Sequence, residues 1–114
     1  MIKRSAMSPL LHAHRVQLAA ACRTFGVRKL EVFGSAASTE FDPEHSDIDL
    51  LVDFDLSGDD DLFGRYFGLN EALEQLFACK VDLVMVGALK NPYFVESVNR
   101  SRRPVYASPL AQGA

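Results

Sequence analysis

From position 47 to position 54 the chain alternates without a fault: Asp47, Asp49, Leu51 and Asp53 on one side, Ile48, Leu50, Val52 and Phe54 on the other. A β-strand, whose successive side chains point to opposite faces, turns that pattern into one apolar face and one largely acidic face. Such a strand needs paired neighbours, and helices to bury its apolar side. Residues 27–33 read as a strand ended by Gly34, and residues 81–86 as a β-branched run with one charge inside it, Asp82. Residues 104–107 read as an edge strand, where a proline without its N–H is tolerated. The expected fold class is α/β (α+β), a small mixed twisted sheet flanked by helices packed mainly on one face.

Helices fill the intervals. Ser8-Pro9 pairs an N-cap with a proline at the first helical position and Gly26 is a matching stop, so a helix is expected over 9–25, with Leu11, Leu18, Cys22 and Phe25 as its buried stripe. Residues 35–41 have the composition for one or two helical turns, broken by Asp42-Pro43. The run Asp59, Asp60, Asp61 opens a helix to about residue 78, its inner face formed by Leu62, Tyr66, Leu69, Leu73 and Leu76. Gly64 and Gly68 weaken that helix by roughly 1 kcal/mol each relative to alanine. Asn91-Pro92 starts a last helix to about residue 100, and the tail from Ser108 is expected to be disordered.

A chain of 114 residues accommodates one domain, spanning 1–114 with a core over about 9–107 and short flexible ends. Its 12 Lys and Arg against 15 Asp and Glu give a net charge of -3, which argues against DNA binding mainly through a strongly positive surface and leaves room for a local basic patch. Cys22 and Cys79 are too far apart in sequence, with no cysteine beside either, to suggest a zinc spacing or a redox pair, and both read as small buried hydrophobes. The apolar run over 83–89, broken only by Gly87, is far short of the roughly 18 residues of a membrane span. Pro9, His12, His14 and Arg15 interrupt the apolar stretch a signal peptide would need after Lys3 and Arg4. A cytoplasmic protein is expected.

The chemistry is carried by three short segments at strand ends: Gly34-Ser35, Asp47-Ile48-Asp49, and Asp82. Asp47 and Asp49, two apart on a strand, project to one side, and Asp82 is placed to join them from a neighbouring strand. Two like charges about 4 Å apart repel by about 4 kcal/mol at an effective dielectric of about 20, so the cluster calls for cations between its members. Hard oxygen donors without a histidine favour magnesium or manganese. Gly34 lets a ligand approach the backbone closely, and N–H groups of the following turn are available to phosphate oxygens. A phosphate cradle beside a carboxylate metal site points to phosphoryl or nucleotidyl transfer. Asp82 is then the natural acceptor for the proton of an incoming hydroxyl.

These residues resemble a known family. Val32-Phe33-Gly34-Ser35-Ala36-Ala37, then Ser46-Asp47-Ile48-Asp49-Leu50-Leu51-Val52, then Lys80-Val81-Asp82-Leu83-Val84 are similar to the minimal nucleotidyltransferases (MntA-like antitoxins) of the DNA polymerase β superfamily. The likeness continues through Asn91-Pro92-Tyr93-Phe94 and Pro104-Val105-Tyr106 and covers roughly residues 10–107. It implies a polymerase β-like fold and an antitoxin of a type VII-like pair that transfers AMP from ATP to a tyrosine of a HEPN-domain ribonuclease toxin. By matching positions it implies Gly34 and Ser35 as nucleotide-binding, and Asp47, Asp49 and Asp82 as catalytic residues and ligands of two Mg2+ ions, with Mn2+ as a substitute. The implied partner is the HEPN toxin in a hetero-oligomer, with no membrane and no direct nucleic-acid contact.

One departure stands out: where the family usually carries an Arg-Gly pair, this chain has Ser38-Thr39. Loss of that arginine removes a positive charge from the phosphate-facing loop, so an antitoxin that neutralises by binding alone is the alternative. Other features take plainer readings. The 59–61 acidic run complements a helix N-terminus, and Asp53 is solvated or hydrogen-bonded. His12 and His14 diverge by about 200 degrees on a helix and share no metal, and His45 is a loop histidine with no assigned role. Arg100, Arg102 and Arg103 either complement a helix C-terminus or meet an acidic partner or RNA. Tyr66, Phe67, Phe77 and Phe94 are expected mostly in the core.

Overall fold

In the computed structural model, which describes residues 9–37, 47–56 and 61–108, helices α1 (Pro9–Ala13) and α2 (Arg15–Thr24) lead into strand β1 (Val27–Phe33). A short 3-10 turn, Gly34–Ala37, precedes β2 (Ile48–Phe54). Helix α3 (Leu62–Phe77), β3 (Val81–Met85), α4 (Pro92–Ser101) and β4 (Arg103–Ala107) follow. The sheet order is β3-β2-β1-β4. β1 runs antiparallel to both β2 and β4, whereas β2 and β3 are parallel, so α3 is the crossover a parallel pair requires. The expected mixed α/β sheet is therefore the observed one.

The alternation read in residues 47–54 sorts the two faces. Leu30, Val32, Ile48, Leu50, Val52 and Phe54 pack with Leu18 and Cys22 of α2 and Leu69, Leu73 and Phe77 of α3 in one buried cluster. Leu51 and Phe33 face the other way and are closed over by Val98 of α4, with Val84 and Leu89 beside them. Helices α1, α2 and α3 thus cover one face, in keeping with the expected packing mainly on one side, and α4 alone closes over the other. The reason is Leu51: an apolar residue on the acidic side of β2 needs a lid, and α4 supplies it. Asn91 fixes the start of that lid, its Oδ1 accepting from the Tyr93 and Phe94 N–H groups at 2.9 and 3.2 Å.

The first helix is two helices. His14 leaves the helical region at φ -106°, ψ 21°, and its Nδ1 lies 2.9 Å from the Leu10 carbonyl oxygen. The ring then meets Phe77 edge to face at 5.6 Å. A side chain that competes for the carbonyl ladder and is held by a ring on α3 breaks the helix, which the apolar stripe alone could not reveal. Gly68 proves to be a packing residue: a Cβ there would sit 2.5 Å from Cε1 of Phe25, so its absence lets α3 approach the end of α2. Arg65 secures the same corner, donating to the carbonyls of Gly26 (3.2 Å) and Asp55 (3.1 Å) with its guanidinium 5.2 Å from the Phe54 ring centre.

Smaller corrections follow from side-chain partners. Val86 leaves β3 for a 3-10 turn, and Ser108 is held by its N–H to the Arg28 carbonyl, 2.9 Å, where disorder was expected. Cys22 is buried, but Cys79 is only partly so. Phe77 and Tyr66 pack inward, but Phe67 and Phe94 are exposed. Phe63, Phe67, Leu62, Tyr66 and Met85 line an open apolar groove of about 440 Å³ at the far end of β3 from Asp82. The Tyr66 hydroxyl in it donates to the Leu83 carbonyl. Residues 38–46, 57–60 and 109–114, including Ser38, His45, Asp59 and Asp60, lie outside the described residues. Among the described residues no helix is long and apolar enough to cross a membrane.

Of the three arginines near the end of α4, Arg102 is consumed structurally. It holds Glu31, the buried acid of β1, through both carboxylate oxygens and donates to Asn99 Oδ1 at 2.7 Å. The pair raises the Arg102 pKa, first through its hydrogen bond to Glu31. With the Glu31 side chain 9% exposed and Arg102 34%, Arg102→Met strands an almost buried carboxylate. We expect a loss of about 2 kcal/mol, below the full cost of breaking a wholly buried pair because one partner reaches water. A urea midpoint lowered at constant slope checks it; an unchanged midpoint would show the pair to be idle.

Candidate active site

The start of β2 and the start of β3 are level because the Ile48 N–H donates to the Lys80 carbonyl at 3.0 Å. That register sets Asp49 directly opposite Asp82 across the parallel pair, and opposite Phe33 across the antiparallel one. Partnered residues share a face of the sheet. Asp49 therefore sits between Asp82 on one side and the exit of β1 on the other, with Asp47 one residue before the strand. Asp47 and Asp82 are exposed and Asp49 is half-buried.

Gly34 completes the pocket around Asp49. Its φ is +71°, in the left-handed region, and the place where a side chain would stand is taken: an added Cβ would lie 2.5 Å from Asp49 Oδ2. The glycine read as a point of close approach to a ligand is thus also the seat of a carboxylate. The Gly34 N–H donates to the Ser101 hydroxyl oxygen at 2.9 Å. Ser35 follows in the 3-10 turn Gly34–Ala37.

Burial, then the charges of Asp82 and Asp47, push the Asp49 carboxyl up to about 6. The Cys79 thiol is raised by burial and then by Asp47 and Glu74, which sets this cysteine behind the same negative field. Among the described residues no three His, Cys, Asp or Glu side chains are arranged so that they could hold a metal ion together. The fit to a divalent cation rests on donor chemistry: hard oxygens whose mutual repulsion an ion would relieve. Asp49 and Asp82 on adjacent strands, with Asp47 beside them, are the residues that would hold it.

The remaining candidates separate cleanly. Asp53 is paired with Arg28 at 2.8 Å on the exposed surface, a hydrogen-bonded role as read from the sequence. Arg103 donates to the Arg102 carbonyl and Arg100 is exposed. Sequence reasoning missed Ser101 and Glu31. Both are joined to their partners across about 70 positions by the return of α4 and β4 onto β1, and no local pattern carries that information.

Comparison with known proteins gives a consistent picture. A family model described as a nucleotidyltransferase domain matches residues 15–105. The protein adenylyltransferase MntA of Thermococcus cleftensis is 37% identical over 91 residues, 80% of this chain and 85% of that protein. The solved structure of a candidate minimal nucleotidyltransferase superposes with a TM-score of 0.67 at 34% identity, covering 89% of this chain and 99% of that one. The complex of an MNT antitoxin with a tri-AMPylated HEPN toxin from Shewanella oneidensis gives a TM-score of 0.59 at 16% identity, covering 90% and 77%, a likeness of fold.

Proposed function

Because the chain belongs to the nucleotidyltransferase domain family, we propose that it is a protein adenylyltransferase antitoxin that moves AMP from ATP to a tyrosine hydroxyl of a HEPN-domain toxin in the cytoplasm. The observation that carries this reading is Asp49, facing Asp82 in register, lodged against the side-chain-free Gly34, and raised by burial and then by two neighbouring carboxylates.

In this reading Asp47, Asp49 and Asp82 would hold two magnesium ions, and the chemistry such ions would supply when bound is neutralisation of the triphosphate charge. Asp49 is the anchor, since its oxygen is seated against Gly34 and half-buried. Asp82, on the exposed side of the pair, takes the proton of the incoming tyrosine hydroxyl. The tyrosine oxygen forms a bond to the α-phosphorus as the bond to pyrophosphate breaks, and pyrophosphate leaves. Gly34 and Ser35 shape the turn beside which the phosphates lie. A separate protein supplies the acceptor.

Incubating the co-purified HEPN partner with this protein, ATP and magnesium should add whole AMP masses to the partner in intact mass spectrometry, and none with Asp47→Asn. A stable complex with no added mass in the wild type would leave a binding antitoxin; equal addition by Asp47→Asn would remove the carboxylates from the chemistry.

A further inference from the structure

We propose that Ser101 is a positioning residue for the acidic site, acting through Gly34 on the Asp49 carboxylate. The inference rests on the reading of that site as one for divalent cations and nucleotide, and it adds a residue that lies outside the motif segments at strand ends. Three contacts tie α4 to the end of β1. Phe94 meets Phe33 edge to face at 5.9 Å, the Ser101 hydroxyl oxygen accepts from the Gly34 N–H at 2.9 Å, and Arg102 holds Glu31. The middle contact falls on the residue that makes room for Asp49 Oδ2.

A glycine with φ of +71° has the backbone freedom to relax toward other basins. A half-buried amide also needs a partner. The Ser101 oxygen meets both demands, because Ser101 is itself fixed by its neighbour: Arg102 is locked to β1 two residues before Phe33. Position is thus passed along Arg102, Ser101, Gly34 and Asp49 through contacts already formed. A rotation of Gly34 would open the space against which the carboxylate rests and spread Asp49 over several orientations.

The test uses Ser101→Ala, with Ser101→Thr as the variant that restores the hydroxyl, and reads Mn2+ affinity by electron paramagnetic resonance alongside AMP transfer and melting. Ser101→Ala is expected to weaken Mn2+ binding and to lower kcat by about tenfold each, the lower end of what outer-sphere partners of metal ligands contribute. KM for the protein acceptor should stay unchanged, and threonine should restore both lost quantities. Wild-type Mn2+ affinity in Ser101→Ala, or a loss that threonine does not recover, would overturn the inference. A wild type that binds Mn2+ with the expected serine dependence but transfers no AMP would overturn only the adenylyltransferase reading. A wild type that binds no Mn2+ would overturn both.

Discussion

Asp49→Asn should lower AMP transfer at least a hundredfold to a thousandfold, by roughly the cost of removing one preorganised charge-stabilising group, and should at the same time make the protein harder to melt near pH 8. The second half of that expectation follows from the raised carboxyl. Its folded-state pKa, about 6, stands above the ordinary value of 3.8. The native state therefore holds the proton more tightly than the unfolded chain, and stability falls as pH rises from about 4 to about 6. Above that window the full penalty for an ionised Asp49 is present. A gap of about two units corresponds to about 3 kcal/mol, which solvent reaching a half-buried group reduces to about 1–2 kcal/mol. Asparagine keeps the shape and removes the charge. A gain of about 1 kcal/mol in a domain of this size raises the melting temperature by about 5 °C at pH 8, and the gain should vanish below pH 4. Melting curves at the two pH values, with transfer measured on the same samples, decide it. A variant that melts lower at pH 8 would show Asp49 to be a structural acid with a stabilising partner. Activity bought with local repulsion is the expected trade at such a site.

The parts of this molecule that were legible are those written in local periodicity. The alternation over 47–54 gave β2 and its two faces, and the β-branched run gave β3, because both patterns are set by neighbours one or two residues away. Asn91-Pro92 marked the start of α4 for the same reason. The three carboxylates and Gly34 were read as a set, and of these the strand register sets Asp49 opposite Asp82. What stayed hidden depends on the chain returning to itself. The break at His14 needs Phe77 on α3, the need for Gly68 comes from Phe25 just past α2, and the use of Arg102 comes from Glu31 on β1. Arg102 could not be told from a partner-facing cation by composition, since a cluster of arginines looks the same whether one member is buried against an acid or all three face water. Gly34 was read with the right emphasis and an incomplete reason: its amide is engaged by Ser101, and its missing side chain is what leaves space for Asp49.

That second role makes Gly34→Ala the other substitution with a large expected effect. Two costs add. Alanine at φ +71° pays about 1–2 kcal/mol for the left-handed region, and its Cβ, 2.5 Å from Asp49 Oδ2, must push the carboxylate aside at about 1–3 kcal/mol more. The displaced carboxylate is the proposed anchor of the site, and a shift of about 1 Å in such a group is enough for a loss of about a hundredfold in transfer. The two costs separate in a double-mutant cycle. In an Asp49→Ala background the space beside residue 34 is open, so Gly34→Ala should then cost only its backbone share, and the coupling between the two changes should be about 1–3 kcal/mol in urea unfolding. Equal costs in both backgrounds would mean that the carboxylate does not occupy the glycine's side-chain position, and the seat proposed for Asp49 would be lost with it. A coupling of the expected sign would tie the strand-end glycine and the central carboxylate into one unit, in which the turn is shaped around the acid before any ligand arrives.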